Sequence, residues 1–437
     1  MMFSSLLMIS QAAWASNDVA ADATGQSTIV RLLLIVGVAY LLAHGVVDWL
    51  QRRFLVVSGA EYILLGVGIG SIAGSALDLN GLAPILSLAA GWVGLVYGME
   101  LNLKRLLFVE DGAIRLAFFD GLGSGLLVAV VSHFVLASGW IAGVNPDQAW
   151  LAAGALGCAS AAGSSSAIEV VSSRFGLQDG LIATLRRSAG FGDLVSILMF
   201  GLLFCIYRPE TDAAAAWSLS ASGWAWVTLG IGTGLGLLFT VFLGDDDSDN
   251  GRFLALVGII CFASGAAFFL DLSLLTVNLI LGIVLANSAK DGVAVAQTLS
   301  TTRRPMSLLL LLFAGLLWER PWVGDVVDIH AILPAAGLTL GVVILRTTGK
   351  LLGAWVGSFG TNLRGDLGRG LLAQGDEALA MAIAMQLVFN GPEINLAYTA
   401  ILGSVVVHEF LAPRLLKTLL VDAAELRSDA APAAVEA

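Results

Sequence analysis

Residues Leu151 to Phe204, LAAGALGCASAAGSSSAIEVVSSRFGLQDGLIATLRRSAGFGDLVSILMFGLLF, decide the class of this protein. The first half is an apolar segment interrupted at its centre by Gly163-Ser164-Ser165-Ser166, and the second half is an apolar segment that carries a single carboxylate, Asp193. Both segments are long enough to cross a bilayer, so both polar features fall in its driest part. A charged Asp there costs about 3 kcal/mol on insertion scales and persists only where it faces a cavity or a partner. The stretch therefore predicts an intramembrane functional site around Asp193.

The composition of the whole chain is that of a membrane protein. Of its 437 residues, 57% are hydrophobic and 13% are charged, and the mean hydropathy is +0.88. Soluble globular domains are only about 45–50% apolar. The net charge of −11 does not indicate nucleic acid binding. It says little about other partners, because many acids lie in short loops and beyond Asp422. The cysteines form neither a metal-ligand pattern nor a disulfide framework, since they are widely spaced at Cys158, Cys205 and Cys261.

Hydrophobic runs long enough for a membrane helix of about 20 residues occur at about thirteen places. We number them spans 1 to 13, and they lie near 29–49, 60–77, 83–101, 113–136, 148–170, 180–206, 218–243, 252–270, 273–288, 305–319, 330–358, 370–389 and 395–416. Residues 1–28 are predicted to be a periplasmic segment or a signal peptide cleaved before Ser16. Residues 418–437 are predicted to be a cytoplasmic tail. The predicted fold class is an all-α integral membrane protein.

Lysine and arginine residues predict the orientation of the spans. They concentrate in the connections that follow odd-numbered spans, for example at Arg52, Arg53 and Lys104, whereas the opposite connections carry few. Connections rich in these residues lie on the cytoplasmic side of a membrane. We therefore expect a multi-pass membrane protein with its amino end outside and its carboxyl end in the cytoplasm.

An internal repeat is predicted from the ends of spans 3 and 10. Span 3 ends GLVYGMELNLKRL (Gly94 to Leu106) and span 10 contains LLFAGLLWE (Leu311 to Glu319), each an apolar run that closes on a glutamate. Because the two spans are an odd number of crossings apart, the two halves would cross the membrane in opposite senses. We predict two inverted repeats, spans 1–6 and 8–13, joined by span 7 as a linker helix at 218–243.

The repeat in turn predicts a second interrupted span. If span 5 is broken at its centre, span 12 should be broken too, because transporter sites of this kind use paired discontinuous helices at the midplane. Span 12 does contain Gln374-Gly375-Asp376-Glu377 within apolar sequence. We therefore expect two broken helices that cross each other. The alternative is that these polar residues only begin a helix at the cytoplasmic surface.

Span 11 carries two basic residues, Arg346 and Lys350. They are four residues apart and therefore share one face of a helix. Bases buried in a membrane are paired or functional, so we expect them to compensate a buried acid, with Glu377 held by one of them. The alternative is that both side chains snorkel to the cytoplasmic interface.

Several motifs, taken in order, resemble those of monovalent cation:proton antiporters, nearest to the bacterial Kef-like and NapA-like branch. The motifs are AHGVVDWLQRRF, GMELNLKRL, SSSAI, Gly192-Asp193, GKLLGA, QGDEALAMA and VVHEFLAPRLLK. No single motif is specific, but their order is, and the resemblance covers nearly all of residues 29–420. It implies a dimerisation scaffold from 29–105 and 252–319 and a mobile ion-binding core from 113–206 and 330–417.

The resemblance also implies roles for individual residues. Asp193 matches the aspartate that binds the ion and the proton. Ser164, Ser165 and Ser166 in span 5 match the polar residues at the helix crossing. Lys350 in span 11 and Glu377 in span 12 match charged positions of the family. The position before the aspartate usually holds Asn, Asp or Gln, but here it is Gly192. This departure removes a side-chain ligand and leaves the ion and the stoichiometry open.

These residues predict a secondary transporter that exchanges Na⁺ or K⁺ for protons by alternating access. In a poorly hydrated cavity desolvation disfavours the bare carboxylate, so a proton and a cation compete for Asp193 and either one neutralises it. Gly192 offers no second proton, and exchange is therefore expected to be electroneutral. We expect a homodimer in the bilayer with no cofactor. Na⁺, K⁺ and Li⁺ all take oxygen ligands, so the sequence does not choose among them.

Two other functions are compatible with parts of the sequence. Gly190-Phe191-Gly192-Asp193 is also the GxGD string of presenilin-like intramembrane aspartyl proteases, whose chemistry needs a second carboxylate that shares a proton. Asp120 and Asp271 are the candidates, but they lie near span ends and the tyrosine-aspartate pair of those proteases is missing. The other alternative is a cation channel or sensor that does not exchange ions. The number of spans and the repeat favour transport over both.

Overall fold

The computed structural model describes residues 59–73, 79–101, 111–141, 143–177, 180–209, 219–242, 249–288, 292–320 and 329–426. In these ranges the regular structure is α-helical, with one 3-10 turn at Leu367–Gly370 and no strand. The helices are α1 Ala60–Ala73, α2 Leu79–Glu100, α3 Asp111–Ala137, α4 Ala149–Ala161, α5 Ser165–Arg174, α6 Leu181–Ile206, α7 Ala221–Phe242, α8 Asp249–Phe269, α9 Leu274–Ser288, α10 Gly292–Leu316, α11 Ile329–Ser358, α12 Asp376–Val388 and α13 Pro392–Asp422. The predicted amino-terminal segment, span 1 and the end of the tail lie outside the described residues.

Every described helix overlaps a predicted span, but α10 begins at Gly292, ahead of the predicted start of span 10 at 305. Helices α1 to α3 match spans 2 to 4, α4 and α5 are the two halves of span 5, and α6 to α13 match spans 6 to 13. Among the described residues, seven segments are long and apolar enough to cross a membrane, and α1, α8 and α9 are apolar but shorter. The chain is therefore a multi-pass membrane protein. The total of about thirteen crossings remains a prediction from run length.

Burial separates central helices from helices that face lipid. In the segment Ala149–Ser173, which contains α4 and α5, 83% of the most apolar window is buried, against 28% in α7 and in α11. Residues Asp376 to Met385 of α12 are all buried as well. Apolar helices that are buried on all sides pack at the centre of a bundle, whereas those that expose apolar side chains face lipid. Both interrupted segments therefore lie at the centre of the bundle.

Close helix crossings depend on pairs of glycines. Helix α2 crosses α9 where Gly98 faces Gly282, and α1 crosses α10 where Gly66 faces Gly315. A Cβ atom at any of these positions would overlap the backbone of the partner helix. Small residues let helix backbones approach closely, which drives association in a bilayer where lipid is as apolar as leucine.

The first predicted break is present, and the second differs in form from the prediction. Helix α4 ends at Ala161, residues 162–164 are not helical, and α5 begins at Ser165. In span 12, residues 372–375 are also non-helical and α12 begins at Asp376, but only the 3-10 turn Leu367–Gly370 precedes them. Glycines at 365, 368 and 370 disfavour an α-helix there. The second segment is therefore a half-helix preceded by a short turn, rather than two α-helical halves.

The last helix is longer than predicted. Helix α13 continues to Asp422, past the predicted end of span 13 and of the core at 417. Its final turn is fixed on the surface, because the Arg369 guanidinium lies 2.8 Å from the Asp422 carboxylate. The predicted tail therefore begins with helix rather than with irregular chain.

Candidate ion site

Asp193 lies on α6 and is completely buried against the break between α4 and α5. Its Oδ1 accepts hydrogen bonds from the backbone N–H groups of Gly163 at 2.7 Å and Ser164 at 3.0 Å. Its Oδ2 accepts a third from the N–H of Ser165 at 3.1 Å. These N–H groups begin α5 and have no partner within the helix. The helix amino terminus is also the positive end of the helix dipole. The break therefore forms an anion-binding seat, a cluster of N–H donors at Gly163, Ser164 and Ser165 that binds the carboxylate of Asp193.

The shape of this seat depends on Ser164. Its backbone is left-handed, with φ of +45°, a conformation that a residue other than glycine rarely adopts. Ser164 is the N-cap of α5, and its hydroxyl accepts a hydrogen bond from the N–H of Ala167 at 3.4 Å. Ser and Asn are favoured at such caps because the side-chain oxygen satisfies an otherwise unpaired donor. The reversal at Ser164 turns successive N–H groups toward one point.

The serine hydroxyls do not contact Asp193. Those of Ser164 and Ser166 lie 3.1 Å apart and hydrogen-bond to each other. The hydroxyl of Ser165 donates to Glu100 at the end of α2, at 3.4 Å. The three serines were predicted as ion-site residues, and the structure brings Ser164 and Ser165 to the aspartate through their backbone N–H groups. Their hydroxyl oxygens point elsewhere around the break.

Arg346 binds the carbonyl groups on the other side of the break. Its guanidinium is completely buried and donates to the carbonyl oxygen of Ala162 at 2.8 Å. It also donates to the carbonyls of Leu372 at 2.6 Å and Ala373 at 2.9 Å, which precede α12. The carbonyl end of a helix carries partial negative charge, so a cation is favoured there. Arg346 therefore ties the two interrupted segments together. The alternative that it snorkels is wrong, and the partners of Arg346 are backbone carbonyls rather than the expected acid.

Lys350 is one turn further along α11 and is also completely buried. Its ammonium lies 2.7 Å from Oδ2 of Asp120 on α3 and donates to the carbonyl oxygen of Ala161 at 3.1 Å. Gly353 makes this pair possible, because its missing side chain lets α11 pack directly on the backbone of α3 at Asp120. The predicted compensation of a buried acid by Lys350 is present. The acid is Asp120 on α3, which the sequence had suggested only for a protease.

Glu377 does not pair with either base. Its Oε2 accepts a hydrogen bond from the hydroxyl of Tyr97 on α2 at 2.6 Å, and its Oε1 accepts from the N–H of Gly375 at 3.1 Å. The same hydroxyl lies 3.2 Å from Oδ1 of Asp376. The expectation that Arg346 or Lys350 holds Glu377 is wrong, because one base is used by backbone carbonyls and the other by Asp120. Tyr97, a polar group inside the apolar run GLVYGME, was the signal in the sequence.

The second break is held to the first by Gln374. Its amide donates to the carbonyl oxygen of Ala159 in α4 at 3.0 Å and accepts from the hydroxyl of Ser404 in α13 at 2.8 Å. Next to Ser404, His408 lies within hydrogen-bond distance of the Thr347 hydroxyl on α11, at 3.2 Å. All of Gln374, Ser404 and His408 are buried. These side chains satisfy polar groups between helices, and Gln374 is part of the core rather than of the surface.

In the part of the chain that the structure describes, neither protease candidate, Asp120 or Asp271, shares a hydrogen bond with Asp193. Asp120 is engaged with Lys350, whereas Asp193 is engaged with backbone N–H groups. Asp271 lies in the turn between α8 and α9, 3.7 Å from Arg208. Aspartyl chemistry requires two carboxyl groups that share a proton. Among the described residues, no group of three or more His, Cys, Asp or Glu side chains is arranged to hold a metal ion.

The long apolar helices, the break at the centre of the bundle and the buried charges around it define a multi-pass membrane protein with a polar centre. Solved structures share this fold. The chain is similar to the sodium proton antiporter MjNhaP1 from Methanocaldococcus jannaschii at pH 8, with 16% identity and a TM-score of 0.60, over 91% of this chain and 99% of the other. It is also similar to an electron microscopy structure of MjNhaP1, with 15% identity and a TM-score of 0.57, over 92% and 99%.

The fold is therefore that of a monovalent cation:proton antiporter over most of the chain. No family model matches the sequence. No curated protein matches it either. The predicted resemblance to antiporters is confirmed at the level of fold, and the Kef-like and NapA-like branch remains a prediction.

Proposed function

We propose that this protein exchanges a monovalent cation, Na⁺ or K⁺, for protons by alternating access at Asp193. The observation that carries the proposal is the position of this carboxylate. Asp193 is completely buried, and its contacts are backbone N–H groups at a helix break rather than a fixed basic side chain. A buried acid in a membrane protein usually marks an ion pathway. Because no base among the described residues forms an ion pair with Asp193, the carboxylate is available to a proton or a cation.

The charges around the break explain why one occupant suffices. The positive end of α5 faces Asp193, and Arg346 and Lys350 cover the negative end of α4. Asp120 compensates Lys350, so this pair contributes no net charge. A proton and a monovalent cation each add one positive charge at Asp193, so the core carries the same net charge with either occupant. We therefore propose one cation per proton, which makes exchange electroneutral.

The cation would take oxygen ligands at the break. The carboxylate of Asp193 and nearby carbonyl oxygens are the available donors, since hard monovalent cations prefer oxygen. The hydroxyls of Ser164 and Ser166, which bond to each other, would join them only by turning toward Asp193. Discontinuous helices at a bilayer midplane supply such oxygens in transporters. Cation binding would draw Asp193 away from some of its N–H donors, which supports competition between the two occupants.

Pairs of equivalent contacts support the proposed inverted repeat. In the proposed repeat, spans 2 and 3 correspond to spans 9 and 10. The crossing of α2 with α9 therefore corresponds to the crossing of α10 with α1, and both crossings use facing glycines. The contact of α3 with α6 likewise corresponds to that of α11 with α13. The contacts of the two repeated glutamates are not equivalent, since Glu100 accepts from Ser165 in span 5 and Glu319 accepts from Asn395 in span 13.

The same contacts support a scaffold and a moving core. Helices α3 to α6 and α11 to α13 pack on one another around Asp193, and α1, α2 and α8 to α10 form a second group. We propose that the second group forms the interface of a homodimer and that the first group moves. The orientation with the amino end outside, in a bacterial inner membrane, follows from the distribution of basic residues.

Exchange in proteoliposomes with a trapped pH indicator tests the proposal. We expect Na⁺ or K⁺ added outside to drive proton movement in the wild type and Asp193→Asn to abolish it, because an amide does not titrate. Glu169→Gln is the matched control, since it removes an exposed acid from α5 close to the same break. Wild-type exchange by purified, folded Asp193→Asn would overturn the assignment.

A further inference from the structure

The contact between Lys350 and Asp120 leaves part of the carboxylate unused. Oδ2 of Asp120 lies 2.7 Å from the ammonium, but Oδ1 is buried and has no hydrogen-bond partner. The side chain is therefore held by charge attraction to Lys350 rather than by a network. Charge, rather than a particular set of hydrogen bonds, is what this carboxylate supplies to the site.

Gly192 provides a second place from which a carboxylate could reach the same lysine. A Cβ atom at position 192 would meet only the carbonyl oxygen of Ala161, at 3.7 Å. The ammonium of Lys350 lies 3.1 Å from that same oxygen. The two positions are thus neighbours on one carbonyl group, and carboxylate oxygens lie two bonds beyond Cβ. The backbone at position 192 therefore has room for the Cβ of an aspartate, and we expect its carboxylate to reach Lys350.

We propose that Asp120 is a positioning residue that keeps Lys350 in its charged form, an inference that rests on the proposed exchange at Asp193. Position 192 is an equivalent place for this carboxylate. Asp120 supplies from α3 the counter-charge that an acid preceding Asp193 would supply from α6. Lys350 is then bound between Asp120 and the end of α4 throughout the cycle. An ammonium buried without a counter-charge is costly, and loss of Asp120 allows it to release its proton during exchange.

Relocation of the carboxylate tests this inference. The variants are Asp120→Asn, Asp120→Glu, and Asp120→Asn combined with either Gly192→Asp or Gly192→Asn. Exchange is measured in proteoliposomes at zero potential and at an imposed potential of about −100 mV, which acts on each moved charge. We expect Asp120→Asn to slow exchange at least about tenfold, which corresponds to about 1.4 kcal/mol of activation free energy. We also expect the residual rate to depend on the membrane potential.

The double variants separate charge from packing. Gly192→Asp in the Asp120→Asn background should restore the rate to within about threefold of wild type, a difference below 1 kcal/mol, and remove the dependence on potential. Asp120→Glu should retain most of the activity, and Gly192→Asn in the same background should restore nothing. The inference is overturned if Asp120→Asn matches wild type in rate and potential dependence, or if Asn at 192 rescues as well as Asp.

A measurement that needs no transport keeps this inference distinct from the proposed function. The thermal unfolding temperature in detergent should be lower in Asp120→Asn than in the wild type. Adding Gly192→Asp to this variant should restore it, and adding Gly192→Asn should not. Absence of exchange in the wild type would overturn the proposed function, and the unfolding series would still decide the pairing. Equal unfolding temperatures in all variants would show that Lys350 does not depend on Asp120.

Discussion

The guanidinium of Arg346 lies 2.8 Å from the carbonyl oxygen of Ala162, at the end of the first half of the broken helix. Nη2 of the same guanidinium lies 2.9 Å from the carbonyl oxygen of Ala373, in the second break. One side chain thus satisfies backbone groups that both interruptions leave unpaired. Each unpaired buried carbonyl would otherwise destabilise the fold by about 1–3 kcal/mol. The relationship makes Arg346 a structural tie between the two halves of the chain.

Arg346→Gln should therefore lower the free energy of unfolding by about 3 kcal/mol or more, because several carbonyls lose a charged donor. Arg346→Lys should recover only part of this loss, since an ammonium lacks the planar fork that reaches separate carbonyls. Thermal or chemical unfolding in detergent micelles measures both effects. Arg187→Gln on α6 removes an exposed base and should change little. Equal stability of Arg346→Gln and wild type would contradict the tie.

Tyr97→Phe should destabilise the protein by about 1–3 kcal/mol, because Glu377 and Asp376 lose their shared donor. Tyr398→Phe is the control, as its buried hydroxyl donates to one acceptor, the carbonyl of Ala314 at 2.6 Å, and it should destabilise the protein less. Thermal unfolding in detergent measures both variants. Wild-type stability of Tyr97→Phe would show that the two acids do not depend on this donor.

Gly66→Ala should lower the unfolding temperature, because the new methyl group would overlap the backbone of α10 at Leu312. Gly68→Ala on the same helix meets no atom within 4 Å, so it should be neutral or stabilise by up to about 1 kcal/mol through helix propensity. The two variants have the same chemistry and differ only in what the methyl group meets. Thermal unfolding of the pair measures the crossing of α1 with α10, and equal effects would show that this crossing is loose.

Exchange by the wild type should not depend on membrane potential. Asp193 gains one proton or one monovalent cation, and Lys350 stays paired with Asp120. Liposomes clamped with potassium and valinomycin, with Na⁺ or Li⁺ as substrate, allow rates to be compared at zero and at about −100 mV, where each moved charge contributes about 2.3 kcal/mol. Rates that follow the potential would identify a second charge carrier, and Lys350 would be the first residue to replace.

The sequence predicted the centre of the site because its signals are local. An isolated acid such as Asp193 within a long apolar run, and a cluster such as Gly163 to Ser166, contrast with their neighbours whatever the tertiary structure. The spacing of Arg346 and Lys350 likewise placed both bases on one helix face. Span positions followed from run length, and all described helices overlap the runs. The start of α10 at Gly292 was missed, because its first turns are polar.

The partners of these residues could not be predicted, because they depend on which helices cross. Lys350 meets Asp120 only because Gly353 lets α11 approach α3, and the pair is 230 residues apart in the chain. Glu377 was expected to pair with a base because of its charge, but its partner is the neutral hydroxyl of Tyr97 on α2. The second break was expected between two α-helical halves, and the glycines before it allow only a 3-10 turn.

The separation of Asp120 and Lys350 also sets an order for biogenesis. Asp120 is synthesised and reaches the membrane 230 residues before the lysine that neutralises it. Until then the acid has no counter-charge from α11, and an unpaired charge in hydrocarbon is costly. We expect the first half of the chain to keep Asp120 protonated or close to water while the second half is still on the ribosome. Arrival of α11 then closes the ion pair, so the amino-terminal half matures only after most of the carboxyl-terminal half has been inserted.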